Sequence, residues 1–443
     1  MAELEAEIAV LKHQDEPLLN ISFRLPAIFL VLAAGLAVRL VLAVQPGFGA
    51  DIGLFEFWAD QMAHRGPWHF YDSDFFIDYA PGYLYVLWII GELNQLIHFN
   101  AAQYEYVIKL PPIIADLASA YLLYRVLDNQ SLNARVGAAG LYLLLPATLL
   151  IGPIWGQVDS MLAFFLLLCV YYIGRGRPLA GALAFTVGFL VKPQAIAALP
   201  FLAVWIMRQT PVRTWAVIGA GAFALTLLLI VPFFTYKPWD FIVHLYNATN
   251  VENYRVDSFW AYNFWTTQGL FDGGLFSPDN QKFLGVTHRI WGFVMFGVAL
   301  LAIIVATWRS KSTGILALGT SLSVLVFYMF LTRMHERYVF AFFLPYLAAC
   351  ALLQSRLLWG LFVALAAAHF LNLYHVYSYY RFAFPPNVEP FYKPMYEVLQ
   401  DNSFLWTGLE TVQALSALML LAVPALIAYA AVHSRRSVPP EIA

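Results

Sequence analysis

Four ionisable side chains fall within five residues in the stretch Arg333-Met334-His335-Glu336-Arg337, with a long apolar run on either side. Arginine grips phosphate oxygens through two parallel hydrogen bonds, and histidine adds a hydrogen bond or a proton. Arg333, His335 and Arg337 therefore read as ligands for a phosphate group. The bland alternative is an interfacial anchor in which Glu336 neutralises an arginine. A second cation, Lys192, interrupts the apolar run "FLVKPQAIAALP" and is followed by Pro193 and Gln194. A lysine inside a membrane helix costs roughly 2.5–3.5 kcal/mol, which snorkelling to the surface can lessen. The proline would instead break the helix and turn Lys192 and Gln194 toward a cavity.

Carboxylates and polar aromatic side chains accompany these cations. Asp51 opens "DIGLFEFWADQ", with Glu56 and Trp58 following, just past the first apolar run. It is either a general base facing a cavity or the N-cap of an interfacial helix. Asp78 and Tyr79 precede Pro81 and Gly82 in "FIDYAPGYLYVLW", where aspartate and proline are ordinary helix-start residues. "IWGQVDSML" sets Trp155, Gln157 and Asp159 at the mouth of an apolar run. Mixtures of aromatic faces, carboxamides and carboxylates bind sugar hydroxyls. The stretch "NVENYRVDSFWAYNFWTTQGLF" carries Tyr254, Arg255, Asp257, Trp260, Asn263 and Trp265. It fits a lid over a sugar or lipid headgroup, or an amphipathic helix lying on the bilayer.

Membrane helices must position all of these groups. The chain is 61% hydrophobic and only 12% charged, and its mean hydropathy is +0.67. That is about half the charge of a soluble domain, so the expectation is a polytopic membrane protein. The net charge of -2 says nothing about nucleic acid, and no Lys/Arg run suggests such a partner, so none is expected. Cys169 and Cys350 sit in apolar runs and read as buried free thiols, without a disulfide or metal-ligand spacing. The polar start of the chain has no signal-peptide pattern.

A helix needs about 20 mostly apolar residues to cross a bilayer. Such runs predict spans near 26–44, 107–127, 136–152, 159–174, 178–192, 193–207, 214–234, 288–307, 313–332, 338–355, 357–375 and 408–432. The run 80–97 is long enough as well. Leaving it out of the count places Arg125, Arg135, Arg175, Arg177, Arg208, Arg213, Arg309, Lys311, Arg356, Arg435 and Arg436 on the cytoplasmic side, as the positive-inside rule requires. The expected fold is all-α, with about twelve spans and both termini in the cytoplasm. It is a single membrane domain over 1–443, with a cytoplasmic segment 1–25 and a tail 433–443. The first outer loop, 45–106, contains juxtamembrane helices, and a second aromatic outer loop covers 235–287. Every group above then lies on the outer face.

A carboxylate, several cations and an aromatic cover beside lipid suit glycosyl transfer from a polyprenyl-phosphate sugar. Cations stabilise the departing phosphate, and a carboxylate takes the proton of the attacking hydroxyl. The ordered set "DIGLFEFW", "DYAPGYLY", "IADLASAY", "WGQVDS", "VKPQAIAALP", "YNFW" and "MHERY" resembles the GT-C superfamily of lipid-phosphate-sugar-dependent glycosyltransferases. The likeness is to the endoplasmic-reticulum glucosyltransferases that extend the N-glycan precursor, and to bacterial relatives of the second mannosyltransferase of GPI-anchor synthesis. It runs through nearly the whole chain in order.

The resemblance implies a GT-C fold, inversion at the anomeric carbon, and no metal or other cofactor. Asp51 would be the base, with Glu56 and Asp78 the other carboxylates that could serve. Lys192, Arg333, His335 and Arg337 would hold the donor phosphate. Glu56, Trp58, Asp78, Tyr79, Trp155, Gln157, Asp159, Gln194, Trp260, Asn263, Trp265 and Glu336 would line the substrate cavity, and Asp116 corresponds to the family's second-span aspartate. The chain departs from the family at Gly82, where a second proline is usual, and Asp51 lacks the acidic neighbour of protein O-mannosyltransferases. The expected activity moves a hexose, mannose or glucose, from a polyprenyl-phosphate donor to a lipid-linked or glycan acceptor. It would take place on the extracytoplasmic side of a bacterial cytoplasmic membrane, by a monomer. The alternatives are a lipid-linked-sugar flippase or transporter, and a same-fold transferase acting on lipid A, teichoic acid or protein. Against the flippase, the polar groups cluster at one face and no inverted repeat is visible.

Overall fold

The computed structural model describes residues 26–71, 75–234, 242–243, 247, 255–267, 273–383 and 411–436. Tyr254 and the segments 1–25 and 437–443 lie outside the described residues. Apart from four two-residue strands, the regular structure described is helical. In chain order the main helices are α1 (Ala27–Leu42), α2 (Gly49–Arg65), α3 (Pro81–Ile97), α4 (Ala101–Ile108), α5 (Leu110–Val126), α6 (Leu132–Leu144), α7 (Asp159–Gly174) and α8 (Pro178–Val191). They continue with α9 (Leu199–Gln209), α10 (Val212–Ile230), α11 (His288–Thr307), α12 (Thr313–Phe330), α13 (Phe340–Leu353), α14 (Arg356–Ala383) and α15 (Thr411–Arg436). The chain is a multi-pass membrane protein: among the described residues, six helical stretches are long and apolar enough to cross a bilayer, or seven if a bent pair is one span.

The expected count of about twelve spans is not confirmed by helix length among the described residues. The expected span 136–152 is the bent pair Leu132–Leu144 and Pro146–Trp155, turned by 51°. Pro146 has no N–H to continue the ladder, and a π-helical turn at Leu150–Trp155 contains Pro153. The expected span 193–207 is a short 3-10 turn, Pro193–Ala198, followed by the eleven-residue α9. α1, α7, α8 and α13 are apolar but only 14 to 16 residues long. A 14-residue helix reaches about 21 Å, short of the ~30 Å hydrocarbon core. In the other direction, α14 runs past the expected end of its span and carries His375, Tyr377 and Tyr380 on one continuous helix.

Buried charges in this apolar bundle are paired, because an isolated charge there would carry a large desolvation penalty. Arg39 in α1 and Asp116 in α5 are both fully buried, with Nε donating to Oδ2 at 3.0 Å. The Tyr142 hydroxyl donates to the other carboxylate oxygen at 3.1 Å, and Arg39 Nη1 donates to the Leu143 carbonyl at 3.0 Å. One ion pair thus ties α1, α5 and α6 together. Cys169 and Cys350 are buried and free, as their apolar surroundings predict.

The first long loop is folded. α2 and α3 pack face to face over a second, smaller core that includes Phe55, Trp58, Tyr79 and Tyr83. They approach so closely that a Cβ on Gly91 would lie 2.1 Å from the Ala59 carbonyl oxygen. α3 then meets the end of α8: a Cβ on Gly82 would lie 2.6 Å from the backbone of Leu190. Gly82 admits that approach, and any residue with a Cβ there would require the Leu190 backbone to move. The loop before α11 is pinned by short pairings. β1 (Ser258–Phe259) runs parallel to β4 (Met334–His335), and β2 (Lys282–Phe283) forms a hairpin with β3 (Val286–Thr287).

Candidate functional site

Four separate stretches converge on one cavity of about 410 Å³. Asp78 and Tyr79 come from the turn before α3, and Lys192 to Ile196 come from the break after α8. Arg289 and Phe293 lie on the first turns of α11, and Phe327 near the end of α12, with residues between Leu331 and Tyr338 beyond it, completes the lining. Of the residues singled out in the sequence, Asp78, Tyr79, Lys192, Gln194, Arg333, His335 and Arg337 line it. Lys192 gets there as expected: α8 ends at Val191, and Lys192 takes an extended conformation before the Pro193 turn.

Each of the three cations first singled out is anchored by a carboxylate. Lys192 Nζ lies 2.7 Å from Asp159 Oδ1, both side chains buried. Arg337 Nη1 donates to Glu336 Oε1 at 3.0 Å, and its Nη2 lies 4.0 Å from Asp51 Oδ1. Arg333 Nε donates to Asp279 Oδ2 at 2.6 Å. These partners offset part of the cost of placing cations inside a largely apolar protein. Burial, together with the neighbouring Arg337 and Lys192 charges, pushes the His335 pKa well below its ordinary value. The ring is neutral near pH 7 and can exchange hydrogen bonds with a ligand, whereas a stored proton is unavailable. Burial raises the Glu336 carboxyl above its usual range, while Arg337 opposes the shift.

The carboxylates divide into three environments. Asp51 is not among the cavity-lining residues. It stands behind Arg337 and accepts a hydrogen bond from Trp155 Nε1 at 2.7 Å. Asp78 faces the cavity, and its Oδ1 is buried without a hydrogen-bond partner among the described residues. Burial pushes its pKa up to about 6, against the pull of Arg337 and helped by Asp51. Glu56 is half-buried on α2 and away from the cavity lining; burial and the nearby Glu105 and Asp60 push it to about 7.

The remaining expected residues form support. The Tyr79 hydroxyl donates to Gln157 Oε1 at 3.1 Å, which places Gln157 directly behind the cavity wall. Trp58 donates to the Phe76 carbonyl at 3.0 Å, and its ring lies 5.5 Å from that of Tyr79. Trp260 bridges to His335 through the backbone and packs its ring on Tyr379 and Phe276. Asn263 and Trp265 do not reach the cavity. Asn263 Oδ1 accepts from the Trp265 N–H at 3.1 Å, and Trp265 Nε1 donates to the Phe330 carbonyl at 2.9 Å. They lock the aromatic loop onto the end of α12.

Sequence reasoning missed Arg289, Tyr338 and Asp279. Arg289 looks like any basic residue before a span, and Tyr338 like a belt residue. Asp279 lies in the turn-like "SPDN", where aspartate is ordinary. Asp116, by contrast, is bound within the Arg39 network of the bundle and is absent from the cavity lining.

No protein-family profile matches the chain. The chain is similar to the dolichyl pyrophosphate Glc1Man9GlcNAc2 alpha-1,3-glucosyltransferase of Arabidopsis thaliana, at 22% identity over 320 residues. The alignment covers 63% of this chain and 63% of that relative, so the chain spans less than two thirds of the relative's length. Among solved structures, ArnT from Cupriavidus metallidurans bound to undecaprenyl phosphate superimposes with a TM-score of 0.48 at 17% identity, covering 91% of this chain and 77% of that one.

Proposed function

We propose that the protein is a GT-C-type inverting glycosyltransferase that moves a hexose from a polyprenyl-phosphate donor to a lipid-linked or glycan acceptor on the extracytoplasmic face of its membrane. The observation that carries this reading is the mixed lining of the cavity. The cations Lys192, Arg289, Arg333 and Arg337 share it with the apolar Ile196, Phe293, Phe327 and Leu331. Ile196 and Phe293 are also exposed. A ligand joining a phosphate to a long apolar chain finds partners for both of its parts in that lining. The volume suits a headgroup-sized ligand, since such sites run to about 300–1,000 Å³. The relative from Arabidopsis, by its name a glucosyltransferase of a dolichyl-linked glycan, supports the same reaction class.

In the proposed reaction the donor phosphate lies among Lys192, Arg333, His335 and Arg337. The acceptor oxygen attacks the anomeric carbon from the opposite side, and the carbon–oxygen bond to phosphate breaks. The bonding electrons leave with the phosphate, and fixed cations stabilise the charge that develops there. A carboxylate takes the proton from the attacking hydroxyl. Asp51 is the proposed base, held in orientation by Trp155 and Arg337. Asp78 is the second reading for that role, supported by its place in the cavity wall and its unpartnered oxygen. The neutral His335 ring and the carboxamide of Gln194 are proposed to bind sugar hydroxyls or phosphate oxygens.

The test is transfer of radiolabelled hexose from short-chain polyprenyl-phosphate-mannose and -glucose to membrane glycolipids, with EDTA present. Wild type, Asp51→Asn and Asp78→Asn are run side by side. Product from wild type and Asp78→Asn alone supports Asp51 as a metal-independent base. Product from wild type and Asp51→Asn alone transfers that role to Asp78. Binding of polyprenyl phosphate with no transfer from either donor to any acceptor favours the flippase instead.

A further inference from the structure

Arg333 occupies the left-handed backbone region, with φ +64, which a side-chain-bearing residue rarely adopts. Two contacts from the loop before α11 hold it there. Its N–H donates to the Val256 carbonyl at 2.9 Å, and its Nε donates to Asp279 Oδ2 at 2.6 Å. Asp279 is itself buried, with a side chain only 5% exposed. Its backbone is fixed on both sides: the N–H donates to the Arg255 carbonyl at 3.1 Å, and the carbonyl accepts from the Arg289 N–H at 3.1 Å. Arg289 lines the same cavity as Arg333. One buried aspartate therefore bonds to two cavity-lining arginines, to one through its carboxylate and to the other through its carbonyl.

A guanidinium is planar, and a carboxylate on its Nε edge sets the direction of that plane. A long side chain fixed beforehand has less freedom to lose when a ligand arrives. We propose that Asp279 is a positioning residue for anion binding: it sets the Arg333 guanidinium and the start of α11 at the spacing that a polyprenyl-phosphate headgroup requires. The ligand class rests on the transferase reading above. The role of Asp279 does not require that sugar be transferred.

The experiment is a double-mutant cycle on the purified full chain, with farnesyl phosphate as the probe and farnesol as the uncharged control. Asp279→Asn keeps the shape and removes the charge. It is expected to weaken farnesyl phosphate about tenfold, the scale of a lost charge-assisted hydrogen bond, and to leave farnesol unchanged. Donor KM rises by a similar factor, with kcat within about twofold, as for an interaction shared by ground and transition states. In an Arg333→Ala background, Asp279→Asn adds nothing further. Asp279→Glu, which retains the charge one methylene further out, recovers part of the binding.

Additive losses in the cycle, an equal loss for farnesol, or wild-type affinity in Asp279→Asn each overturns the proposal. So does failure of both the Asn and Glu variants to fold, which makes Asp279 a residue of the fold alone. A wild type that binds farnesyl phosphate and transfers no sugar removes the transferase reading and leaves the cycle valid. A wild type that does not bind farnesyl phosphate removes the reading and the proposal together.

Discussion

Lys192 Nζ and Asp159 Oδ1 lie 2.7 Å apart, and neither side chain meets solvent beyond a few per cent. Lys192 belongs to the break after α8 and Asp159 to the first turn of α7. The pair therefore holds a cavity-lining cation against the neighbouring helix. Removing one member leaves the other charge buried and uncompensated, at a cost of about 3–5 kcal/mol. Asp159→Ala is expected to lower the melting temperature sharply in detergent. The double variant Asp159→Leu/Lys192→Met should melt above the single variant while binding donor less well. A double variant no more stable than Asp159→Ala would show that the pair carries no such burden.

Asp51 accepts a hydrogen bond from Trp155 and lies 4.0 Å from Arg337, two contacts that orient its carboxyl group. Loss of a general base typically lowers rate by about 10²–10⁴-fold. Asp51→Asn should reduce kcat by that order with donor KM little changed. Trp155→Phe removes the 2.7 Å hydrogen bond to Oδ2 and keeps the carboxylate. It should cost activity, by about tenfold, far less than Asp51→Asn does. Steady-state kinetics on the two variants decide the matter, and full activity in Asp51→Asn ends the assignment.

Asp78 titrates near 6 in the folded protein because it is buried, against an ordinary value of 3.8. The folded state thus holds a proton that the unfolded chain has already released. The slope of stability with pH is negative in that window. The contribution of Asp78 to stability is fully present below about 4 and is lost as pH rises through about 6. Chemical unfolding between pH 4 and 7 should show this fall in wild type and a flatter profile in Asp78→Asn. If Asp78 is also the base, an acidic limb of kcat/KM with an apparent pKa near 6 should vanish in the same variant. An unchanged slope would mean that Asp78 stays ionised in the fold.

Gly82 is the point where α3 touches the end of α8. Gly82→Ala places a Cβ at 2.6 Å from the Leu190 backbone, which must move. Overpacking of this kind costs about 1–3 kcal/mol. Because Asp78 and Tyr79 precede α3 and Lys192 follows α8, the same shift widens the cavity wall. Transfer activity should fall by more than the loss of stability explains, as seen by comparing activity at a temperature where the variant remains fully folded. Wild-type activity in a folded Gly82→Ala protein would place the contact outside the site.

The chain's composition and the spacing of its charges already determined much of this protein. Apolar runs of fixed length specify helices in a bilayer, and Pro193 after Lys192 specifies where one of them ends, since proline supplies no N–H. The same reasoning brought Asp78, Lys192, Arg333, His335 and Arg337 to one face. Only the tertiary structure decided which of those residues meet. Trp265 and Asn263 look like the others in sequence, yet they fasten a loop to α12, because an indole or carboxamide binds a backbone carbonyl as readily as a sugar hydroxyl. Arg39 with Asp116, and Arg333 with Asp279, pair across 77 and 54 residues of chain. No local pattern encodes such partners. A buried charge is stable only beside its counter-charge, and which counter-charge lies within 3 Å is fixed by how the helices pack.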